Sequence, residues 1–402
     1  LFQNQYFEMH DQILMHDTTI FSIVKIPFLS FSIEAYSNPG IYSFFTINRN
    51  NFILNLEDYK NNLNNRSHHF LDIRNQIFSY GYKKKEKIYS FGLNHRLFSE
   101  FSLSKQLVSL LIDGNYQYLN ETINFTDNNY ARFANYFSIF FGYSQKINAQ
   151  YLFNAKLKII KGVSLLGLEN SEFSLLFTDN FNTQNNPFSS EINTDLHYFI
   201  NNNPNLLSDL GFATDLYVDY NYNERIKIYA GAYDLGFIIW NEDQYTSQGY
   251  FNFQGLDYEL DEMLTTEFNN LQDTIMDIFN VEKISNVKEL RLLPFEISLG
   301  FQYTLNNKNK KLGGNYSVQK FSNSLLHTGQ FFYVLYFDKN QFSLTSSYSF
   351  NKFNYTNFSI ILNKRWKDQL HTNFYLSNVF GFLNQNNRGR RAGIGLECYV
   401  LF

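Results

Sequence analysis

The chain has 402 residues, a formal charge of −4, 44% apolar and 19% aromatic side chains. The near-neutral balance argues against a nucleic-acid partner. The single cysteine, Cys398, excludes an internal disulfide and any CxxC metal or redox site. No run approaches the ~18 apolar residues of a spanning helix, so a bilayer location requires a closed sheet with every backbone group paired.

Residues 1–17 carry no clear period and form an expected amino-terminal periplasmic or hatch segment. The absence of a leader before Leu1 reads as processing, and export is inferred from the strand pattern alone. From Thr18 to Tyr36 the chain is β-rich, with Pro27 suiting a bulge or rim. Ser37-Asn38-Pro39-Gly40 signals a turn, and Ile41 to Ile47 reads as the return strand. Residues 51–65 look partly helical and are expected as a periplasmic connection. Phe70 to Tyr82 and Lys87 to Glu100 flank the turn Lys83-Lys84-Lys85-Glu86. Leu103 to Ile112 predicts a short helix before Asp113-Gly114-Asn115. Strands follow at 116–125, 132–144, 150–161, 171–177 and 191–200. A hairpin joins 211–221 to 225–240 through Tyr222-Asn223.

Residues 241–289 read as one long extracellular insertion. Helical spacing of Leu260, Met263, Leu264, Phe268, Leu271, Ile275, Met276 and Phe279 predicts an amphipathic helix at 256–279, which either caps the lumen or docks a partner. Beyond it the alternation is cleanest: Phe295, Ile297, Leu299 and Phe301 oppose Glu296, Ser298, Gly300 and Gln302. Further strands lie at 312–321, 329–337, 341–350, 356–366 and 369–380. In the last ten residues Ile394, Leu396, Cys398, Val400 and Phe402 share one parity, Glu397 the other. That pattern fits a terminal assembly strand of an outer-membrane barrel; an edge strand of a soluble sandwich is the competing reading.

The expected fold is all-β: a transmembrane antiparallel up-and-down barrel over 18–402, of about 16 strands within a range of 14–18, with a helical extracellular insertion. Placing Phe402 in the periplasm sends 387–391 and 241–289 outside and the short turns inside. The chain resembles an uncharacterised family of outer-membrane β-barrels, a domain of unknown function from bacteria with type IX secretion. The resemblance rests on IPFLSFSIEAYSNPG (26–40), LIDGNYQYLN (111–120) and FSIFFGYSQKINAQYLFNAKLKIIKG (137–162). It implies location and fold and brings no active site.

His10, His16, His68, His69, His95, His197, His327 and His371 show no ligand spacing, so neither metal nor cofactor is expected. There is no GxSxG, and no catalytic residue or enzyme activity is assigned. Lys156, Lys158, Asp215, Asp219, Lys227, Glu296 and Glu397 all fall on the polar parity of their strands. A charge facing lipid costs several kcal/mol, so these side chains belong to the lumen. They line a pore or ligand site, or they neutralise one another, with Asp215 or Asp219 paired to Lys227. Arg388, Arg390 and Arg391 form a basic loop that binds an anion such as lipopolysaccharide, or a partner, or is simply solvated. The expected partners are the lipid bilayer, the barrel-assembly machinery and other outer-membrane or periplasmic proteins. The leading functional expectation is a scaffold or subunit of a secretion or assembly complex; the alternative is a transporter for hydrophobic or small polar molecules.

Overall fold

The computed structural model describes residues 21–402 apart from 27–28, 40–44, 49–50, 64, 115, 180–187, 202–204, 206, 254–280, 306–308, 323, 338–340, 353–356, 367–368 and 380–390. Its strands are β1 (Ser22–Lys25), β2 (Phe31–Asn38), β3 (Phe45–Asn48), β4 (Asn51–Leu54), β5 (His68–Lys84), β6 (Lys87–Ser102), β7 (Thr122–Lys146), β8 (Tyr151–Asp179), β9 (Phe188–Ile200) and β10 (Leu210–Asn221). They continue with β11 (Ile226–Phe253), β12 (Glu282–Leu292), β13 (Phe295–Thr304), β14 (Lys310–Lys320), β15 (Leu325–Phe337), β16 (Phe342–Asn351), β17 (Asn357–Trp366), β18 (Leu370–Ser377) and β19 (Arg391–Leu401). Two short helices, α1 (Leu56–Asn62) and α2 (Lys105–Asp113), lie between strands.

Neighbours in sequence pair antiparallel around a ring that β19 closes on β2, with Ile394 opposite Ile33. The ring is a closed barrel of 14 strands, with β1, β9 and β12 as three further strands of the same sheet. The first wall strand is split. β1 lies between β19 and β5, with Val24 opposite both Val400 and Tyr80. After the interruption that holds Pro27, β2 resumes between the same two neighbours. The flanks stay anchored: Ile26 N donates to Cys398 O at 2.9 Å and Gln76 N to Ser30 O at 2.8 Å.

The wall is an inverted core. Along β13, Ile297, Leu299 and Phe301 are exposed while Glu296 and Ser298 are buried. The same holds across the barrel, from Ile139 and Phe141 on β7 to Phe331 on β15 and Phe374 on β18, all exposed. A soluble sandwich would bury those side chains and expose the serines. Tyr82, Tyr89, Tyr151, Phe337 and Trp366, exposed beside the short turns, form the aromatic girdle of a membrane interface. This is an outer-membrane-type β-barrel. Leu299→Arg should therefore cost about 2–4 kcal/mol in lipid. Urea unfolding in vesicles reads that cost; an unchanged midpoint would place Leu299 away from hydrocarbon.

Several expectations are corrected. The count of about 16 falls to 14, because pairs of expected strands are single long ones. Residues 122–125 and 132–144 meet in β7, of 25 residues, while Tyr116–Tyr118, expected to begin a strand, is a turn of 3-10 helix. Residues 150–161 and 171–177 meet in β8, of 29 residues. Register shifts around Asn129 and Val163 absorb the irregularities that look like turns in sequence. Of the expected return strand 41–47, residues 41–44 lie outside the described residues, and Phe45–Asn48 pairs with Asn51–Leu54 in a separate two-stranded sheet. That sheet and α1 follow the end of β2 farthest from Phe402, so 51–65 sits at the loop end, not among the short turns. The insertion 241–289 narrows, since β11 runs to Phe253 and β12 starts at Glu282. With β8 and β9 they extend the sheet beyond the ~9–11 residues a strand needs to cross a bilayer. The expected helix at 256–279, the segment 1–17, Arg388 and Arg390 lie outside the described residues.

At the loop end α2 is capped by Ser104, whose hydroxyl accepts from Leu107 N. It ends at Gly114, whose φ of 75° suits glycine. Val108 packs on Tyr59 and Leu63, and Lys60 bridges to Asp113 at 2.6 Å. The hydrogen bond from Lys60 holds the Asp113 carboxyl below its usual range.

Candidate functional site

Period-two alternation sends one side chain in two into the lumen, and a bulge sets what meets there. On β11 the buried parity is Tyr229, Gly231, Tyr233 up to one point and Asp234, Ile238, Trp240 beyond it. Asp215 of β10 faces the extra residue: Thr214 pairs with Leu235, Leu216 with Ala232. Two consecutive residues, Tyr233 and Asp234, thus both turn inward, and Asp234 takes φ 56°, which an aspartate tolerates.

Asp234 is the hub of a buried charged layer. Lys158 of β8 reaches it at 2.5 Å and Asp215 at 2.6 Å. Arg96 of β6 reaches Asp234 at 3.0 Å and Asp72 of β5 at 2.9 Å. Arg74 adds a bond to Asp72 at 2.7 Å. The Arg96 guanidinium also donates to Pro294 O and to Tyr136 Oη. These groups come from β5, β6, β7, β8, β10 and β11, so the layer ties wall strands together across the lumen. Buried ions without partners would each cost several kcal/mol, and the mutual pairing removes most of that penalty.

Nearer the short turns lie two further pairs. Lys227 meets Asp219 at 2.6 Å, and Tyr217 Oη donates to the same carboxylate. Lys25 meets Glu397 at 2.6 Å, with Tyr399 Oη and Asn373 Nδ2 donating to Glu397 as well. Lys156 sits over the Phe140 ring at 5.1 Å, and Glu296 accepts from Gln319 at 2.9 Å. The structure thus brings Lys158 and Asp215 into one cluster and Asp219 with Lys227 into another. Glu397 belongs to the pair with Lys25. On β19, Glu397 is buried while Ile394 and Phe402 are exposed; Cys398 is buried although it shares their parity. Arg391 begins β19 opposite Tyr36.

Above the charged layer, toward the loop end, apolar groups meet across the lumen. Phe321, where β14 leaves the wall, stacks between Phe70 at 4.2 Å and Phe98 at 5.6 Å, with Tyr36 and Leu326 in the same cluster. β5 and β6 stand nearly opposite β14 in the ring, so this connection crosses the lumen. Glu100 of β6 latches it, accepting from Ser322 N and from Ser324 Oγ, each at 2.9 Å. Tyr130 Oη donates to the same carboxylate at 2.8 Å, and Arg132 donates to Ser322 Oγ at 3.0 Å. Beside the latch, Tyr136, Ile160, Leu165, Phe199, Ile238 and Trp240 form a second apolar cluster. Gly162 makes room for it, since a Cβ there would lie 2.5 Å from the Trp240 ring.

A cavity of about 170 Å³ opens between this plug and the pairs near the turns. Arg74, Arg96, Lys158, Asp234, Glu34 and Glu397 are among its lining residues, and it reaches the wall break at Ser30 and Gln76.

A serine–histidine array lies at the loop end. Ser37 Oγ donates to Pro39 O at 2.5 Å and lies 2.8 Å from His69 Nδ1; His69 Nε2 lies 2.6 Å from Tyr59 Oη. A serine proton given to the carbonyl goes with a His69 that donates to Ser37 and accepts from Tyr59. The array is a clasp holding α1 to the wall. Among the described residues no group of three or more His, Cys, Asp or Glu could hold a metal.

Sequence reasoning missed Asp72, Arg74, Arg96, Glu100 and Asp234. Arg96 and Glu100 could have been found by carrying the alternation of β6 past Asn94; Asp72 and Arg74 lie beyond the register shift between Gln76 and Phe78, which reverses the inward parity of β5. Asp234 could not, because the bulge reverses the parity that would have revealed it.

No curated protein matches the sequence. Among solved structures, the toluene transporter TodX of P. putida aligns with a TM-score of 0.46 at 8% identity, over 96% of this chain and 90% of that one. A FadL homologue of Pseudomonas aeruginosa aligns at 0.39 and 9% identity, over 95% and 89%. The monoaromatic hydrocarbon channel CymD aligns at 0.45 and 9%, over 99% and 92%. The profile of a family of unknown function, DUF5723, matches residues 19–376. The chain belongs to that family of unknown function, DUF5723.

Proposed function

We propose that this protein is a non-enzymatic conduit of the bacterial outer membrane that passes small molecules through its lumen. The observation that carries the reading is the lumen itself. A closed wall, apolar outside and polar inside, encloses a cavity beneath a constriction whose connection is held by a few hydrogen bonds. A purely structural barrel has no need of a polar cavity at its centre. The mixed charges do not form the single-sign ring of an ion-selective pore, which points to uncharged solutes. The expectation of a secretion or assembly scaffold has no observation among the described residues to carry it, and the conduit takes its place. In this reading the short turns face the periplasm and the long connections face outward.

The test is reconstitution into liposomes and measurement of osmotic swelling in small solutes. The conduit reading expects swelling above that of protein-free vesicles, faster still once the Phe321 plug is loosened. Vesicles that stay as tight as bare lipid in both cases would remove the conduit.

A further inference from the structure

The lumen cavity carries a statement about what it takes. We propose that it is a binding site for a small uncharged polyhydroxyl solute, of about pentose size, held by Ser30, Asn75 and Asn94. The proposal deepens the conduit reading and rests on it only for how the solute arrives.

Three observations converge. First, the volume of about 170 Å³ slightly exceeds the ~150 Å³ that admits a six-membered ring. Second, the fixed charges around it are largely engaged with one another: Lys25 with Glu397, Arg74 and Arg96 with Asp72, Lys158 with Asp215 and Asp234. A charged solute would have to break one of these pairs to gain a partner. Third, Ser30, Asn75 and Asn94 line this cavity, and the buried Oγ of Ser30 and Oδ1 of each asparagine have no hydrogen-bond partner among the described residues. Ser30 is only 2% exposed.

Buried polar atoms are normally paired, and leaving them unmade is costly. A hydrocarbon in this cavity would keep all three unmade and would strip water from the surrounding ions. Hydroxyl groups donate and accept, so a polyol can serve a serine oxygen and either end of an amide. The location fits this use. Ser30 lies in the interruption between β1 and β2, where its side chain is free of the alternation that fixes a wall residue. Asn75 and Asn94 sit on β5 and β6 beside that interruption, next to the register shift between Gln76 and Phe78. The break in the first strand thus builds the cavity's polar corner.

The experiment titrates D-xylose, and separately toluene, against the purified full chain in detergent micelles, read by saturation-transfer NMR. Saturable xylose binding is expected, with Ser30→Val and Asn94→Leu each weakening it about tenfold, the loss of one well-placed hydrogen bond. Heat-modified gel mobility checks that each variant is folded. Ser30 lies outside the ladder, so its variant remains informative if Asn94→Leu fails to fold. Absence of saturable xylose binding, equal binding by a folded Ser30→Val, or toluene bound in preference would each overturn the site. Binding in micelles without vesicle swelling would keep the site and remove the conduit; swelling without binding would do the reverse.

Discussion

Replacing Phe321 with Ser and Glu100 with Ala should convert a closed lumen into an open one. Phe321 fills the space between Phe70 and Phe98, and truncating a buried phenylalanine costs about 3–5 kcal/mol of packing. Glu100 holds the connection through Ser322 N and Ser324 Oγ. Hydrogen bonds to a charged group contribute about 1.5–3 kcal/mol each, so losing two weakens closure by roughly 3 kcal/mol or more. At 1.4 kcal/mol per decade this is about a hundredfold in the ratio of closed to open forms. Each single variant should raise the initial swelling rate of proteoliposomes, and the double variant should raise it most. Because the groups touch the same connection, their effects should not simply add. A Ser343→Ala change on the β16 wall, remote from the plug, should leave the rate alone. If the double variant is as tight as the parent, the β14–β15 connection is not what closes the lumen.

The barrel could be read in the sequence because its alternation is regular where the wall is regular. Residues 295–301 spell out both faces, and β13 follows them. What failed did so for identifiable reasons. Asn128 and Asn129 look like a turn, yet β7 passes through Asn129 with only a register shift, because the neighbouring β8 carries the same irregularity. Residues 45–47 belong to a stretch with the composition of a wall strand, but β2 and β5 already pair with each other, so no edge was left for them. Composition also cannot tell a hollow lumen from a plugged one. Phe70 and Phe98 share the inward parity of Asp72 and Arg96, and only the crossing of Phe321 shows what they pack against. The charged layer was half legible: Lys158 and Asp215 stood on the polar faces of their strands, while their common partner Asp234 was hidden by the bulge that aims it inward. The pairing of Asp219 with Lys227 needed only a hairpin and two opposite charges on one face.

Asp234→Asn should destabilise the protein more than any other single isosteric change in the lumen. Asp234 is the carboxylate that both Arg96 and Lys158 reach. Asn keeps the size and tolerates the positive φ at this position. The change therefore isolates charge from shape. It leaves Arg96 with Asp72 and Lys158 with Asp215, two buried cations short of one counter-charge. Removing one partner of a buried pair typically costs 3–5 kcal/mol; because each cation retains a second carboxylate, about 2–4 kcal/mol is expected. Asp234→Ala should cost about 1 kcal/mol more, from backbone strain. Urea titration of the protein refolded into lipid vesicles measures both. Salt should change the loss little, since buried charges are poorly screened. A loss under about 0.5 kcal/mol for Asp234→Asn, the range of an ordinary surface substitution, would mean that water, not Asp234, neutralises Arg96 and Lys158, and that the layer does not bind the wall strands together.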